Sequence, residues 1–458
     1  MPFRADPPAV STIVESILPS PLHKNFLTKG LQHPDSLVRH MTAITLARGL
    51  QKLQVVQQLL ADIAAEIDDE PSTSKESPWS RVRRELELEA RRRVPEVIVV
   101  INFAQQSAQL APAETETEEE QALAAKSTLL TESALRLFGL LYRTLPSIAA
   151  EAKFDVGRLL VSSSSAKAEK RERMSVKSGS VVDDSGSIAS FGTAGTAGMG
   201  GGFGYSRGEV AGFDALSQVH VLALLRDVKE WDWARKAAAS QYTYFYHILQ
   251  LHLNTQLPIT RSLTSSLLDN MLHPTMLFEH DPSELSVWIA AIPKAHSTVS
   301  GPLLTVQQIY LLSFLDDCFK RAQQFPYRYI EQLTTLVPDY FSWSNSSRVV
   351  SCVLMAILEQ FHAKMVGQHL STDAAVVILG YLRRVLLGLM GKMDDDKFLE
   401  AVMLQLDATV SAAKEKGQDR PGVETLIEAM RHDIKAVFHM SGGAYNEAAD
   451  FPRLVDEQ

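Results

Sequence analysis

The residues of this sequence that could do chemistry are a cysteine beside two carboxylates. Cys318 follows Asp316 and Asp317, which could place a nucleophile next to acids. A reactive cysteine needs a nearby base or cation to lower its thiol pKa, and adjacent carboxylates do the opposite. Because Phe314, Cys318 and Arg321 fall on successive helical turns, we interpret Cys318 as a small buried residue. Cys318→Ser should therefore leave cellular function unchanged.

Metal and nucleotide sites are not indicated. The histidines, such as His247 and His252, lack the HExxH spacing of a zinc helix. Cys318 and Cys352 have no paired spacing, which excludes a disulfide framework and a four-cysteine zinc site. A GxxxxGK(S/T) phosphate loop is absent. The sequence therefore predicts a protein without catalytic activity, cofactor or small-molecule substrate.

Two segments could instead bind a macromolecule. One is a basic stretch, which is typical of a solvated tail. The alternative is a functional patch that binds RNA phosphates or directs the protein to the nucleus. Its positive residues are Lys167, Lys170, Arg171, Arg173 and Lys177. The other segment, from Tyr242 to Leu253, is rich in aromatic and apolar residues, which favours a core helix over a partner groove with tyrosine anchors.

Helices must position these groups, because apolar residues recur at helical spacing along most of the chain. His33–Ser36 should separate two helices of the Phe26–Ile67 region, and the all-helical surroundings favour helix for the β-branched run Val97–Ile101. Asp373 is expected to cap a helix. Gly417 should end the next one, and Pro421 should open the last.

The predicted organisation alternates helical regions with linkers. Helical repeats cover 1–67, a linker 68–80, further repeats 81–160 with an acidic linker near 111–121, a Ser/Gly-rich basic segment 161–209, a helical-repeat domain 210–445 and a tail 446–458. Segment 161–209 lacks apolar periodicity and should be disordered, so limited proteolysis should cut there first. The number of helices favours an all-α α-solenoid of HEAT- or armadillo-like pairs with disordered insertions over a compact bundle.

Bulk properties limit the class of protein. With 458 residues, 45% of them hydrophobic, the chain can bury a sizeable core. The formal net charge of -9 makes the average surface repel nucleic acid, so RNA contact requires a local basic cluster. No secretory signal and no apolar run of about 18 residues is present, which predicts a soluble intracellular protein with no membrane contact.

Three segments resemble the nucleolar pre-ribosomal-associated protein family, whose members are very large helical-repeat scaffolds of early ribosome assembly. They read FLTKGLQHPDSLVR from Phe26, HDPSELSVWIAAIP from His280, and FLDDCFKR from Phe314 running into PYRYIE from Pro326. Family members are far longer, so the chain resembles an N-terminal or interior portion of one. The family-motif residues, as structural or docking elements, are Trp288, Asp316, Asp317, Arg321, Pro326, Tyr327 and Tyr329.

The resemblance implies a non-catalytic assembly factor of the large (60S) subunit in the nucleus and nucleolus. Its implied partners are pre-ribosomal RNA and early pre-60S assembly factors, including an RNA helicase module. A helical-repeat adaptor of transport or coat-type assemblies is the alternative, because one architecture serves many functions. Cellular location would separate the two.

The third motif also has a structural interpretation. The acid pair Asp316–Asp317 is expected to hold Arg321 or Arg328, while the following proline starts a turn that packs Tyr327 and Tyr329. Tyr327→Ala should then destabilise the protein by about 2–4 kcal/mol. If Tyr327 docks a partner instead, its removal should abolish co-purification and leave stability nearly unchanged.

Overall fold

The structure, a computed structural model, describes residues 7–67, 77–109, 118–147, 155–160, 207–228, 231–237, 240–255, 257–278, 281–293, 306–336, 350–390, 397–417 and 420–440. Within these ranges the regular elements are helices, and one isolated antiparallel bridge joins Lys236 and Thr243. The predicted all-α fold is confirmed. The chain forms two compact units, Met1–Trp231 and Asp232–Gln458.

The first unit is built on two long helices, α3 and α6. His40 Nδ1 lies 3.0 Å from Ser133 Oγ between them, and Gln57 Nε2 donates to the carbonyl of Thr144 at 3.1 Å. The helices of this unit are α1 (Val10–Ile17), α2 (Lys24–Leu31), α3 (Ser36–Ile67), α4 (Pro78–Arg93), α5 (Val97–Gln109), α6 (Glu118–Thr144), α7 (Gly157–Leu160) and α8 (Arg207–Asp227).

Two local predictions for this unit are confirmed. The β-branched run from Val97 is helical, because it opens α5, and its Val100 and Ile101 side chains are buried. The segment His33–Ser36 separates α2 from α3, where Asp35 Oδ1 accepts from the Leu37 amide at 2.8 Å.

The helix α8 lies in the first unit, although the sequence grouped it with the region 210–445. Its attachment to α6 explains this: His220 Nε2 lies 3.1 Å from Glu132 Oε1, and Arg143 pairs with Asp227 at 3.1 Å. The predicted disordered segment, up to residue 206, and the predicted tail lie outside the described residues.

The second unit stacks shorter helices in pairs around α12. These helices are α9 (Tyr244–Asn254), α10 (Pro258–Leu272), α11 (Glu284–Ala290), α12 (Val306–Gln324), α13 (Pro326–Leu336), α14 (Val353–Val366), α15 (Thr372–Leu389), α16 (Lys397–Glu415) and α17 (Pro421–Met440). The helix α12 packs against α9, α13, α14 and α15, so it is the centre of this unit.

The ends of the last helices follow known capping chemistry. Pro421 is the first residue of α17, and Gly417 adopts a φ of 76° after α16, as predicted. The predicted cap at Asp373 is wrong: Ser371 Oγ accepts from the Ala374 amide at 3.2 Å. Asp373 instead lies in the first helical turn, where its charge suits the helix dipole. No helix in the described ranges is long and apolar enough to cross a membrane.

Candidate functional site

All seven family-motif residues lie in the second unit, on the consecutive helices α11, α12 and α13. Three of them are buried: Trp288, Asp316 and Tyr329. The other four, which include Tyr327, are exposed or half-buried. We call the packed region around the three buried residues the motif junction. The basic residues Lys167, Lys170, Arg171, Arg173 and Lys177 lie outside the described residues.

Asp316 forms hydrogen bonds with the start of another helix, α9. Its carboxylate accepts from the Thr243 amide at 3.1 Å and from the Thr243 hydroxyl. Thr243 is the N-cap of α9, and its hydroxyl oxygen also accepts from the Tyr246 amide. Burial raises the pKa of the Asp316 carboxyl, and the two Thr243 donors oppose that rise. The buried acid thus ties α12 to the beginning of α9.

The predicted partners of the acid pair are wrong. Asp316 bonds Thr243, and Asp317 pairs with Lys364 of α14 at 2.9 Å. The Lys364 ammonium also lies 5.4 Å from the centre of the Phe314 ring. Arg328 pairs with Glu359, again on α14, at 3.0 Å. The charged groups of the motif therefore attach α12 and α13 to α14.

A second buried carboxylate, which the sequence reasoning missed, performs a similar task. Glu284 is 2% exposed, and its Oε1 accepts from Trp288 Nε1 at 2.9 Å. Its two oxygens also lie 3.0 and 2.9 Å from the amide of Ser351, two residues before α14. The Ser351 hydroxyl in turn donates to the Leu277 carbonyl at 2.6 Å. Tyr381 donates to the Trp288 carbonyl at 3.2 Å, which adds α15 to the network.

An aromatic cluster fills the space between the two carboxylates. Phe319 stacks on Phe245 with ring centres 4.7 Å apart, and Trp288 meets the Phe319 ring edge-on at 6.4 Å. Tyr244, Phe245 and Tyr246 of α9 are at most 4% exposed. The core interpretation of the Tyr242–Leu253 segment is confirmed for the aromatic side chains of α9, because all three are buried.

Three buried titratable groups in the described part of this unit have pKa values shifted towards their uncharged forms. Cys318 is fully buried, and burial raises the pKa of its thiol well above the ordinary value. Burial also raises the pKa of Cys352 to about 12 and lowers that of His247 to about 4. At neutral pH the thiolate is disfavoured and this imidazole is uncharged, as expected of groups that serve packing.

The turn between α12 and α13 presents aromatic side chains to solvent. Phe325 and Tyr327, on either side of Pro326, are 54% and 71% exposed. The predicted packing is therefore right for Tyr329, which is 1% exposed, and wrong for Tyr327. Arg321 is exposed one turn before Phe325, whose amide donates to the Arg321 carbonyl at 3.0 Å. We call Arg321, Phe325 and Tyr327 the turn surface.

The stacked helix pairs and the braced helix starts of the second unit define a helical-repeat protein of the HEAT class. Residues 228–434 match a family model described as URB1, central HEAT repeat domain. Over these residues the chain is similar to the central domain of that family, in agreement with the resemblance that the three motifs predicted. Comparison with curated proteins gave no match, and comparison with solved structures gave none either.

Proposed function

We propose that this chain is a non-catalytic scaffold in early nucleolar biogenesis of the large ribosomal subunit, where it binds pre-ribosomal RNA and other assembly factors. The observation that carries this proposal is the match of residues 228–434 to the URB1 central HEAT repeat domain. The same fold serves many functions. The family match is therefore the basis for the proposed process, and the exposed surfaces are the basis for the proposed contacts.

The motif junction supports the scaffold role by its construction. Asp316 and Glu284 are buried on α12 and α11, and each bonds the start of a helix distant in sequence. Moving either helix away would break such a bond and leave a buried polar group unsatisfied. Because that state costs free energy, the bonds hold the helices in one arrangement. A fixed arrangement of helices keeps surface residues at constant spacing, as a protein that holds several partners requires.

The turn surface is the docking element that we propose for a protein partner among the early assembly factors, such as the RNA helicase module. Phe325 and Tyr327 expose aromatic area beside Arg321, and tyrosine and arginine are enriched among residues that dominate interface energies. The surface lies within the family motif, on the domain that the URB1 model matches.

Affinity purification of the tagged full chain, with RNA and proteins both identified, tests this function. We expect nucleolar retention that RNase abolishes, and recovery of large-subunit precursor RNA. The double variant Phe325→Ala/Tyr327→Ala should lose protein partners, while Tyr310→Ala, which removes another exposed aromatic of α12, should keep them. Location at the nuclear rim or on vesicles, without precursor RNA, would favour the transport or coat adaptor instead.

The domain organisation belongs to the same proposal. We propose that the basic segment, which extends from 161 to 206 because α8 begins at Arg207, links the helical regions flexibly and that its lysines and arginines assist nuclear targeting or RNA contact. Limited proteolysis of the full chain should cut this segment first, and protection of the segment in the isolated protein would contradict the proposal.

A further inference from the structure

The long helix α3 keeps one side exposed along its second half. It packs against α1, α2, α4 and α6, and its buried positions include Leu46, Leu53 and Leu60. On the exposed side, Val55 and Leu59 are 68% and 55% exposed although both are large apolar residues. We call the six exposed residues that form this side the α3 face: Arg48, Lys52, Val55, Leu59, Asp62 and Glu66.

The six residues share one face because of their spacing. The intervals between them are four, three, four, three and four positions. Residues at such intervals form the line of contact between two paired helices. From Arg48 to Glu66 the helix rises by about 27 Å at 1.5 Å per residue. The intervals are the same in both directions, so a second α3 that runs antiparallel presents the same pattern.

The charges of the α3 face are ordered along the helix. Its first two residues, Arg48 and Lys52, are cations, and its last two, Asp62 and Glu66, are carboxylates. The segment 48–66 contains no other charged residue, so all of its charge lies on this face. An apolar pair separates the two ends.

Each charged end of the face repels itself. Like charges four positions apart destabilise a helix, and both the cations and the carboxylates have this spacing. Asp62 accepts a hydrogen bond from Gln58 Nε2 at 2.7 Å, on the same helix. None of the four charged side chains forms an ion pair with another residue of the described ranges. The described part of the first unit therefore does not supply the opposite charges that would relieve this repulsion.

A second copy of α3 supplies those charges when it packs antiparallel. Positions equally far from the centre meet in an antiparallel helix pair. When Val55 lies opposite Leu59 of the second copy, Lys52 lies opposite Asp62 of the second copy, and Arg48 lies opposite Glu66 of the second copy. Twofold symmetry repeats every contact, which gives four ion pairs around two apolar pairs.

Other arrangements of two α3 helices bring like charges together. In a parallel pair Arg48 would face Arg48 of the second copy. An antiparallel pair that also covered the exposed residues Leu37 and Met41 would be centred on Arg48, and the two guanidinium groups would again meet. Like charges that face each other across an interface cost free energy. The charges thus specify both the direction and the register of the pair.

The residues beside the face do not oppose this pairing. Gln51, Gln58 and Ala65 are exposed on one side of it, and Val56 and Ile63 are half-buried on the other. All five are uncharged. Since charged residues beside the line of contact help to set partner choice in paired helices, their lack here leaves that choice to the face itself.

We propose that two copies of this chain associate through the α3 face, paired antiparallel by ion pairs of Arg48 with Glu66 and of Lys52 with Asp62 around Val55 and Leu59. The interface lies in the first unit, outside the matched residues 228–434, and does not depend on the proposed function. One helix from each copy makes a small interface, so association should depend on concentration and weaken as salt rises.

Sedimentation equilibrium of the purified full chain over a series of concentrations measures this association. The variant Arg48→Glu/Lys52→Glu makes the charged ends of the face entirely acidic, and Asp62→Lys/Glu66→Lys makes them entirely basic. Each variant alone should dissociate about 100-fold more readily, because four attractions become four repulsions and each change is worth about three-fold. Glutamate and lysine are good helix formers, so α3 should persist in both variants.

A mixture of the two charge variants makes the result specific. Acidic and basic faces have opposite charges at all four contacts, so the mixture should form heterodimers at least as readily as the original chain forms dimers. Association regained on mixing cannot arise from misfolding. The control Leu37→Gln/Met41→Gln changes exposed apolar residues of the same helix outside the paired segment and should associate as the original chain does.

Four results would refute the interface: a monomeric original chain at every concentration, either charge variant associating as the original chain does, no heterodimer in the mixture, or loss of association in the Leu37→Gln/Met41→Gln control. If the original chain is monomeric and Arg48→Glu/Lys52→Glu loses a co-purifying protein, the α3 face binds that protein instead of a second copy. The proposed function stands or fails separately, by the precursor RNA that the chain recovers.

Discussion

Replacing Tyr329 and Tyr327 by alanine, one at a time, separates packing from docking at the turn between α12 and α13. The two residues are neighbours in the motif, but Tyr329 is 1% exposed and Tyr327 is 71% exposed. Truncation of a buried aromatic residue costs about 3–5 kcal/mol, and Tyr329→Ala also removes the ring that Arg328 covers at 5.6 Å. Tyr327→Ala should change stability by no more than about 0.5 kcal/mol.

Hydrogen exchange is the suitable assay, because a chain of two compact units has no single free energy of unfolding. Amides of α13 and α14 report their own opening free energy. We expect Tyr329→Ala to accelerate their exchange by about 100-fold or more and Tyr327→Ala to leave it unchanged. Equal exchange in the two variants would refute the assignment of Tyr329 to the core and of Tyr327 to the surface.

Three further perturbations follow from the buried groups. Glu284→Ala leaves the donors of Trp288 and Ser351 unpaired and should destabilise the second unit by about 2–6 kcal/mol, measured by hydrogen exchange of the amides of α11 and α14. Burial depresses the pKa of His247 to about 4 in the folded state, against an ordinary value of 6.5, so the folded state disfavours protonation of this side chain. The free energy of unfolding should therefore fall by about 2 kcal/mol between pH 7 and pH 5, and by less in His247→Gln. Native Cys318 should resist alkylation, and rapid labelling without unfolding would contradict its burial.

The helical class of the fold could be predicted from the sequence because local patterns determine it. Period-3.6 apolar spacing, Pro421 at a helix start and Gly417 after a helix end each act within a few residues. The cap of α15 was misplaced by two residues, since Ser371 and Asp373 are both good capping residues and only the backbone geometry distinguishes them.

The motif junction could be predicted only in part, because its bonds join residues far apart in the chain. Asp316 is 73 positions from Thr243, and Glu284 is 67 positions from Ser351. A motif shows which residues share a segment, and it led us to seek partners for the acids among nearby arginines. Arg321 or Arg328 would have kept Asp316 within the pair α12 and α13, whereas the fold uses Asp316 to bind the start of α9.

Exposure of the aromatic side chains was also beyond local reasoning. Tyr327 and Tyr329 are separated by one residue and so lie on different sides of α13, and only the position of α14 decides which side is covered.

The most direct test of the central claim is sedimentation of the tagged full chain from nucleolar extract, with the co-sedimenting RNA identified. The account predicts that the chain travels with large-subunit precursor RNA and returns to the top of the gradient after RNase treatment. Sedimentation with membranes or as a free protein, without precursor RNA, would contradict a scaffold of large-subunit assembly.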